Sequence, residues 1–249
     1  MIFLVDLHEV LEVLRGHKWV NLTHDVTAEI PIYHTFNPLS QGIISTLEDG
    51  RVDSREYTIG TSHGTHIDAP KHFAAGTRSL EEIPLSERVL PLYVLHLEDK
   101  VKESPGYAVT VEDIKAFEAE HGLLPAGSFV AFSSGWYKRF YDSAVFKNVD
   151  EAGVEHTPGW SIPALEFLSR ERGVTAIGHE TLNTDSGVEA AEAGFLDAEL
   201  YWLAEDKFQV ELMANLDQVP AVGSIIFVTV PHIHGAPGFT AEVFAIVPN

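Results

Sequence analysis

The chain has 249 residues, of which 45% are hydrophobic and 21% are charged, a composition typical of a globular protein with a sizeable core. Its 16 basic and 37 acidic residues give a formal net charge of −21, which argues against nucleic acid or an anionic membrane as a partner. There are no cysteines, so disulfides and thiolate metal ligands are excluded.

The N-terminal sequence predicts a short helix rather than a targeting segment. It lacks a basic lead and a small-residue cleavage site, and no apolar run in the chain approaches the ~20 residues that span a bilayer. Asp6 is placed to cap a helix that Gly16 would end. We therefore predict one domain over residues 1–249, with residues 1–16 as a helical arm, in a cytoplasmic protein that does not bind membranes.

Strands and single helices follow in alternation. Residues 43–47 and 57–61 flank an Asp-Gly turn and predict a hairpin, whose second strand leads into a segment rich in histidine. Because the helices fall singly between more numerous strands, we predict a mixed α/β chain with one core. The other predicted strands are residues 19–23, 89–97, 128–133, 174–178, 208–212, 224–230 and 239–247, and the predicted helices are residues 80–85 (one turn), 110–122, 163–173 and 198–205.

Residues 61–73 read Thr-Ser-His-Gly-Thr-His-Ile-Asp-Ala-Pro-Lys-His-Phe and contain an unusual density of metal-binding side chains. His66 and Asp68 are two positions apart, so on a strand they share one face. His63 precedes them across a flexible glycine, and His72 follows Asp68 by four positions. Neutral imidazole and carboxylate groups are common ligands of zinc and manganese, so this spacing predicts a metal site.

The same residues resemble the signature of the cyclase family of metal-dependent hydrolases, His-x-Gly-Thr-His-x-Asp-x-Pro-x-His-Phe. The family includes bacterial kynurenine formamidases and isatin hydrolases. The resemblance extends over residues 21–247 and implies the family's swivelling β/β/α fold. The first histidine of the signature falls on Ser62, while His63 stands one place later, so either residue is a candidate to face the metal.

The resemblance assigns metal binding to His66, Asp68 and Glu211, to which we add His63 as a predicted ligand. The family's histidine ligand for a second metal falls near Glu199, where no histidine stands. We therefore predict one divalent cation, Mn²⁺ or Zn²⁺, and keep a dinuclear, formamidase-type site as the alternative.

The resemblance also implies a reaction and a proton carrier. A catalytic histidine of the family falls on His72, and histidine can exchange protons near neutral pH. The expected activity is hydrolysis of a carbon–nitrogen bond in a small aromatic or cyclic amide by a metal-activated water. Tyr33 and Trp136 are predicted to contact the substrate, although either residue fits equally well as a core aromatic. Members of the family are dimers or tetramers, so a homodimer or homotetramer is expected.

Other readings of the chain remain open. Ser62 beside His63 suggests a serine hydrolase, but the chain has no Gly-x-Ser-x-Gly turn. A non-catalytic, metal-binding oligomer is a second alternative. Two further groups of polar residues are predicted to support loops or to lie on the surface rather than to bind metal: His179, Glu180 and Asp185, and the pair His232 and His234.

Overall fold

The structure, a computed structural model, describes residues 6–249. The strands in this part of the chain are β1 (Lys18–Asn21), β2 (Ser40–Ser45), β3 (Ser54–Thr58), β4 (His66–Asp68), β5 (Val89–His96), β6 (Ala108–Val109), β7 (Phe129–Ser133), β8 (Gly159–Trp160), β9 (Ala176–His179), β10 (Phe208–Glu211), β11 (Ser224–Thr229), β12 (Gly238–Thr240) and β13 (Glu242–Val247). The helices are α1 (Leu7–Arg15), α2 (Leu47–Gly50), α3 (Glu98–Glu103), α4 (Val111–His121), α5 (Ser143–Lys147), α6 (Ile162–Glu166), α7 (Gly187–Ala193) and α8 (Asp197–Ala204).

A nine-stranded mixed sheet forms the centre of the molecule, in the order β1-β13-β11-β5-β7-β9-β10-β4-β12. Strands β5, β7, β9 and β10 run parallel, and the strands on either side of them pair antiparallel. Strands β2 and β3 form a separate hairpin, and β6 and β8 form a small parallel pair. The predicted mixed α/β class is therefore confirmed.

Two clusters of buried apolar side chains stabilise the sheet. One contains Leu92, Phe129 and Phe208, and the other contains Phe132, Trp160 and Trp202. Both clusters contain side chains from the parallel strands, because alternate side chains of a strand point to opposite faces of the sheet. This packing holds the ends of β9 and β10 in a fixed position.

Side chains cap the N-termini of α1 and α4, and the cap of α1 is the predicted Asp6. The Asp6 side chain accepts a hydrogen bond from the backbone N–H of His8, and Thr110 and Asp113 form a capping box at the start of α4. Residues 1–5 of the predicted N-terminal arm lie outside the described residues. Helix α1 has no buried residue. Within residues 6–249, no helix combines the length and the apolar character needed to cross a membrane.

Several predicted strands differ from the structure. The hairpin predicted at residues 43–47 and 57–61 lies at β2 and β3, three residues earlier at the start of each strand, and its Asp-Gly turn is part of helix α2. Residues 239–247 were predicted as one strand but divide at Ala241 into β12, which pairs with β4, and β13, which pairs with β1 and β11. The Ala241 N–H donates to the Thr65 carbonyl, which extends the β4 ladder by one residue, and Glu242 then lies opposite Thr229 of β11. Strand β5 ends at His96, one residue before the end of the strand predicted at residues 89–97, and its buried residues alternate with exposed ones at its start.

Candidate active site

The pairing of β4 with β10 brings the candidate site together. In this antiparallel pair His66 lies opposite Glu211, and Asp68 lies opposite Gln209. Residues that face each other across a strand pair are in side-chain contact. On the other side of β4, Gly238 lies opposite Asp68, where a Cβ atom would come within 2.8 Å of the Asp68 Oδ1 atom. The glycine therefore leaves room for that carboxylate.

His66, Asp68 and Glu211 form a buried cluster of potential metal ligands. The His66 Nε2 atom lies 3.4 Å from Asp68 Oδ2 and 3.4 Å from Glu211 Oε2. The other ring nitrogen of His66 lies 2.9 Å from the carbonyl oxygen of Gly64. This contact assigns the proton to Nδ1 and leaves Nε2 free to coordinate a cation.

A second group shares Asp68 with the first. The His72 Nε2 atom lies 4.0 Å from Asp68 Oδ1 and 3.9 Å from the Oε1 atom of Glu199 on α8. Asp68 and Glu199 are buried, whereas 28% of the His72 side chain is exposed. His72 therefore lies between the buried carboxylates and the accessible space of the site.

Neighbouring side chains orient the carboxylates. The Gln209 Nε2 group donates to Glu211 Oε1 at 2.9 Å, and the Gln209 amide oxygen accepts a hydrogen bond from Thr184 at 2.7 Å. The His179 Nε2 atom lies 3.3 Å from the same Glu211 oxygen. The hydrogen bond from Gln209 thus orients the Glu211 carboxylate before any cation binds.

Two carboxylates near the site support loops, in the role predicted for them. The Asp185 side chain accepts the N–H groups of Ala198 and Glu199 at 2.9 and 3.0 Å, so it caps α8 and positions Glu199. The Glu180 side chain accepts N–H groups of Ser134 and Trp136. Burial raises the pKa of Glu180 to about 7 even though these hydrogen bonds favour its charged form.

The site concentrates negative charge in a buried volume. Burial opposes protonation of His66, but Asp68 and Glu211 outweigh it and raise the pKa of His66 to about 10. The pKa of Asp68 is lowered, because His66 and His72 outweigh its burial. Burial, and then repulsion from Glu211 and Asp68, raises the pKa of Glu199 well above its usual value.

A divalent cation fits this set of donors. The carboxylates of Asp68, Glu199 and Glu211 are buried close to one another. Without a compensating positive charge, burying them costs folding free energy. Within residues 6–249, Asp68 Oδ1 is buried and has no hydrogen-bond partner. One imidazole with several carboxylate oxygens is a ligand set that suits Mn²⁺, and the histidine also allows Zn²⁺.

The cluster lines a cavity of about 300 Å³. His66, Asp68, Glu211, His72 and Glu199 lie at one side of it. The other walls are largely aromatic and aliphatic and include Tyr33, Phe36, Phe73, Leu182 and Leu196. A cavity of this size and lining accepts a small flat molecule whose reactive group faces the carboxylates.

Comparison with known proteins identifies the family. The family model described as "Putative cyclase" matches residues 20–186. The chain belongs to the cyclase family. It is 30% identical to the isatin hydrolase of Roseibium aggregatum over 195 residues, covering 77% of this chain and 73% of that protein. It is 29% identical over 124 residues to the kynurenine formamidase of Geobacillus thermodenitrificans, covering 49% of this chain and 54% of that protein.

Solved structures of isatin hydrolases share the whole fold. The structure of isatin hydrolase A from Ralstonia solanacearum superimposes with a TM-score of 0.90 at 29% identity, over 99% of both chains. The cyclase-family fold expected from the sequence is therefore confirmed.

The structure distinguishes Ser62 from His63 at the first position of the cyclase-family signature. Ser62 lines the cavity. The buried His63 ring instead has its Nε2 atom 2.9 Å from the Asn37 carbonyl oxygen and packs against Phe36. His63 belongs to neither group of potential ligands, so its predicted role in metal binding gains no support from this geometry.

The two predicted substrate-contacting aromatics occupy different environments. Tyr33 lines the cavity, as the prediction requires. Trp136 is 1% exposed, donates its indole N–H to the Phe146 carbonyl and packs in a core cluster. Trp136 is not among the cavity-lining residues, so the structure gives its predicted contact with substrate no support.

Sequence reasoning missed the roles of Glu199 and Gln209. The position of Glu199 was noted for lacking the family's histidine, but the structure places its carboxylate within the second group. Gln209 could have been found from its period-two spacing with Glu211 on a predicted strand. Its contact with Glu211 depends on the side-chain rotamers, which the sequence does not specify.

Proposed function

We propose that this protein is a metal-dependent amidohydrolase that opens a small cyclic aromatic amide by adding water across its carbon–nitrogen bond. The observation that carries the proposal is the buried cluster of His66, Asp68 and Glu211 at the wall of an aromatic cavity. Membership of the cyclase family and similarity to isatin hydrolases over most of the chain support it.

We propose that His66, Asp68 and Glu211 hold one divalent cation, with Mn²⁺ favoured over Zn²⁺. The single histidine and the carboxylate oxygens form a ligand set of mostly hard donors, which Mn²⁺ accepts well. A cation bound there would polarise the amide carbonyl and make water easier to deprotonate.

The protein's own residues would orient the substrate and move the proton. Tyr33, Phe36 and Phe73 would hold a flat ring with its amide towards the cluster. His72 would accept a proton from the attacking water and return it to the departing nitrogen. The water oxygen would bond to the carbonyl carbon as the carbon–nitrogen bond breaks, and the nitrogen would take the proton from His72. The products are an amine on the opened ring and a carboxylic acid that loses its own proton to solvent.

A dinuclear, formamidase-type enzyme is the second candidate. The group of Asp68, His72 and Glu199 favours it, because its ligand atoms lie within 4.8 Å of one another and it shares Asp68 with the first group. In that case His72 would be a ligand and the substrate would be an N-formyl aryl amine. We also propose that the protein is a homodimer or homotetramer.

Metal content and turnover measured together test the proposal. Protein purified without chelator should contain about one manganese per chain and should hydrolyse a cyclic aromatic amide such as isatin. A chelator should abolish turnover and Mn²⁺ should restore it. Glu211→Gln should lose both metal and turnover, whereas Glu192→Gln, a change at an exposed position on α7, should lose neither.

Each of the other outcomes points elsewhere. About two metals per chain with faster turnover of an N-formyl aryl amine would favour the second candidate. Turnover that resists chelators and is stopped by a serine reagent would favour a serine hydrolase. Protein that neither contains nor regains a metal, and hydrolyses neither amide, would overturn the proposal.

A further inference from the structure

A second cavity adjoins the cavity that holds the carboxylate cluster. Its volume is about 380 Å³, and the two cavities have these wall residues in common: Tyr33, Leu182, Asn183 and Leu196. Shared walls place the two spaces next to each other, so a group attached to a ring in the first cavity can extend into the second. We call the second cavity, which is bordered by Lys147, Glu155 and α7, the side chamber.

The small ring of the proposed substrate does not need the side chamber. The first cavity, at about 300 Å³, already reaches the ~300–1,000 Å³ that ligand sites commonly have. The side chamber adds a volume of similar size, and helix α7 contributes only glycine and alanine to its wall. The structure therefore has room for a substituent that projects from the ring.

Glu155 is a carboxylate in the wall of the side chamber that lacks a hydrogen-bond donor. Its side chain is partly buried. Burial raises the pKa of Glu155, although the nearby Lys147 and His34 favour its charged form, and no donor in residues 6–249 assists them. Burying a carboxylate without donors costs folding free energy, so Glu155 is available to a donor that enters the chamber.

The backbone holds Glu155 in place before a ligand binds. Residue Glu155 pairs with Val149 in an isolated antiparallel bridge. Helix α7 also packs closely against it through Gly187, where a Cβ atom would clash with the Glu155 carbonyl oxygen. A preorganised acceptor of this kind avoids the entropic cost of ordering a loop on binding.

The charge of the molecule favours a cation as the donor. The chain has a net charge of −21, and the neighbouring cavity contains the carboxylates of Asp68, Glu199 and Glu211. Such a field attracts positive groups and repels negative ones. A protonated amine offers several N–H donors and forms charge-assisted hydrogen bonds with a carboxylate. Lys147 would attract an anion instead, so tails of both charges belong in the experiment.

We infer that the side chamber binds a substituent of the substrate that ends in a protonated amine, with the Glu155 carboxylate accepting its hydrogen bonds. The substrate class is then an aryl amide that carries an aminoalkyl tail. Glu155 would determine specificity and would take no part in breaking the carbon–nitrogen bond. The inference rests on the proposed hydrolysis of a cyclic aromatic amide.

Steady-state kinetics on the Mn²⁺-loaded, full-length protein tests the inference. The substrates are isatin and isatins with an aminopropyl, butyl or carboxyethyl tail at each open position of the benzene ring. At one position or more, the aminopropyl compound should exceed the butyl compound in kcat/KM by about tenfold, because hydrogen bonds between charged groups are the strong ones. In Glu155→Gln this preference should disappear through a higher KM, with kcat retained. Glu192→Gln, an exposed change on α7, should keep the preference.

Filling the side chamber tests where the tail binds. Ala190→Leu places a larger side chain on the chamber wall, so kcat/KM for the aminopropyl compound should fall by about tenfold while that for isatin stays near the wild-type value. Ala193→Leu is the matched control, because Ala193 lies on the same helix but does not border the chamber. It should change neither value.

The outcomes separate the side chamber from the chemistry. Equal kcat/KM for the aminopropyl and butyl compounds at every position, or a preference for the carboxyethyl compound, would overturn the inference and leave amide hydrolysis standing. If no compound is hydrolysed, the proposed function fails, and calorimetric titration with the aminopropyl compounds decides on the chamber. Binding to Glu155→Gln that is about tenfold weaker than to the wild type would support the chamber. Equal binding, or none to either protein, would overturn it.

Discussion

The orientation of His66 is set by the backbone on one side and by carboxylates on the other. Gly64 adopts a left-handed conformation (φ +63°), and its carbonyl oxygen lies 2.9 Å from His66 Nδ1. A side chain at position 64 would be strained there and would also meet Val26. The turn therefore determines which ring nitrogen faces Asp68 and Glu211, and the ligand geometry is present before metal binds.

At the same scale, replacing His72 tests the proton-carrier role. His72→Ala should lower kcat by about 10²–10⁴-fold and leave the metal content unchanged, because general acid–base catalysis contributes a factor of that order. Steady-state kinetics with metal analysis on the same sample is the measurement. His121→Ala is the control, since the His121 side chain is 26% exposed, close to the 28% of His72, and it lies on α4 away from the cavity. Loss of metal from His72→Ala would instead make His72 a ligand.

His24 gives the fold a dependence on pH. It is 6% exposed and its ring stacks on Phe140 at 3.7 Å. Burial lowers the pKa of His24 to about 4, against the pull of a hydrogen bond to the Met213 backbone. The unfolded chain takes up this proton near pH 6.5, so His24 stabilises the fold above pH 6.5 and this contribution is lost as the pH falls to about 4. The loss is at most about 3 kcal/mol.

His24→Phe removes that titration while keeping a ring on Phe140. Its free energy of unfolding, from urea titrations at pH 7, 6, 5 and 4, should fall less steeply than that of the wild type. His232→Phe, an exposed change, should follow the wild-type slope. Parallel curves for His24→Phe and the wild type would show that other groups produce the acid sensitivity.

At the scale of elements, local patterns predicted strands well and their partners poorly. The period-two placement of His66 and Asp68 predicted that they share a face, which the 3.4 Å distance between His66 Nε2 and Asp68 Oδ2 confirms. That Glu211 lies opposite His66 depends on the register of β10 against β4, which is a long-range property. Helices α3, α5 and α7 were missed because five to seven residues are too few to show a helical period.

The centre of the sheet depends on one glycine in β9. A Cβ atom at Gly178 would lie 2.4 Å from the Met213 sulfur and 2.8 Å from the Phe129 ring. Gly178→Ala should therefore lower the free energy of unfolding by about 1–3 kcal/mol, as overpacking of a core does. In Gly178→Ala/Met213→Ala the loss should be smaller than the sum of the two single losses, as judged by urea denaturation. Strictly additive losses would show that Met213 does not oppose the new methyl group.

At the scale of the whole molecule, the site joins distant parts of the chain. Asp68 lies on β4, Glu211 on β10 and Glu199 on α8. The free-energy cost of burying these three carboxylates together is therefore offset by the stability of the whole fold. The sequence predicted the metal and two of these carboxylates. It did not predict that Glu199 would lie in one group with Asp68 and His72, because the position of Glu199 depends on how Asp185 caps α8.

A cation that compensates these charges should stabilise the entire protein. Ligand at about 100 times its dissociation constant adds about 2.7 kcal/mol, and in a chain of this length each kcal/mol raises Tm by about 2–4 °C. Adding Mn²⁺ to chelator-treated protein should thus raise Tm by about 5–10 °C, measured by calorimetry. Glu211→Gln should lose most of this rise. His232→Ala/His234→Ala should keep it, because neither histidine belongs to the two groups of ligands found in residues 6–249. A rise that survives Glu211→Gln but disappears in the double histidine variant would place the cation on the surface loop instead, and the cavity would then have to bind its substrate without it.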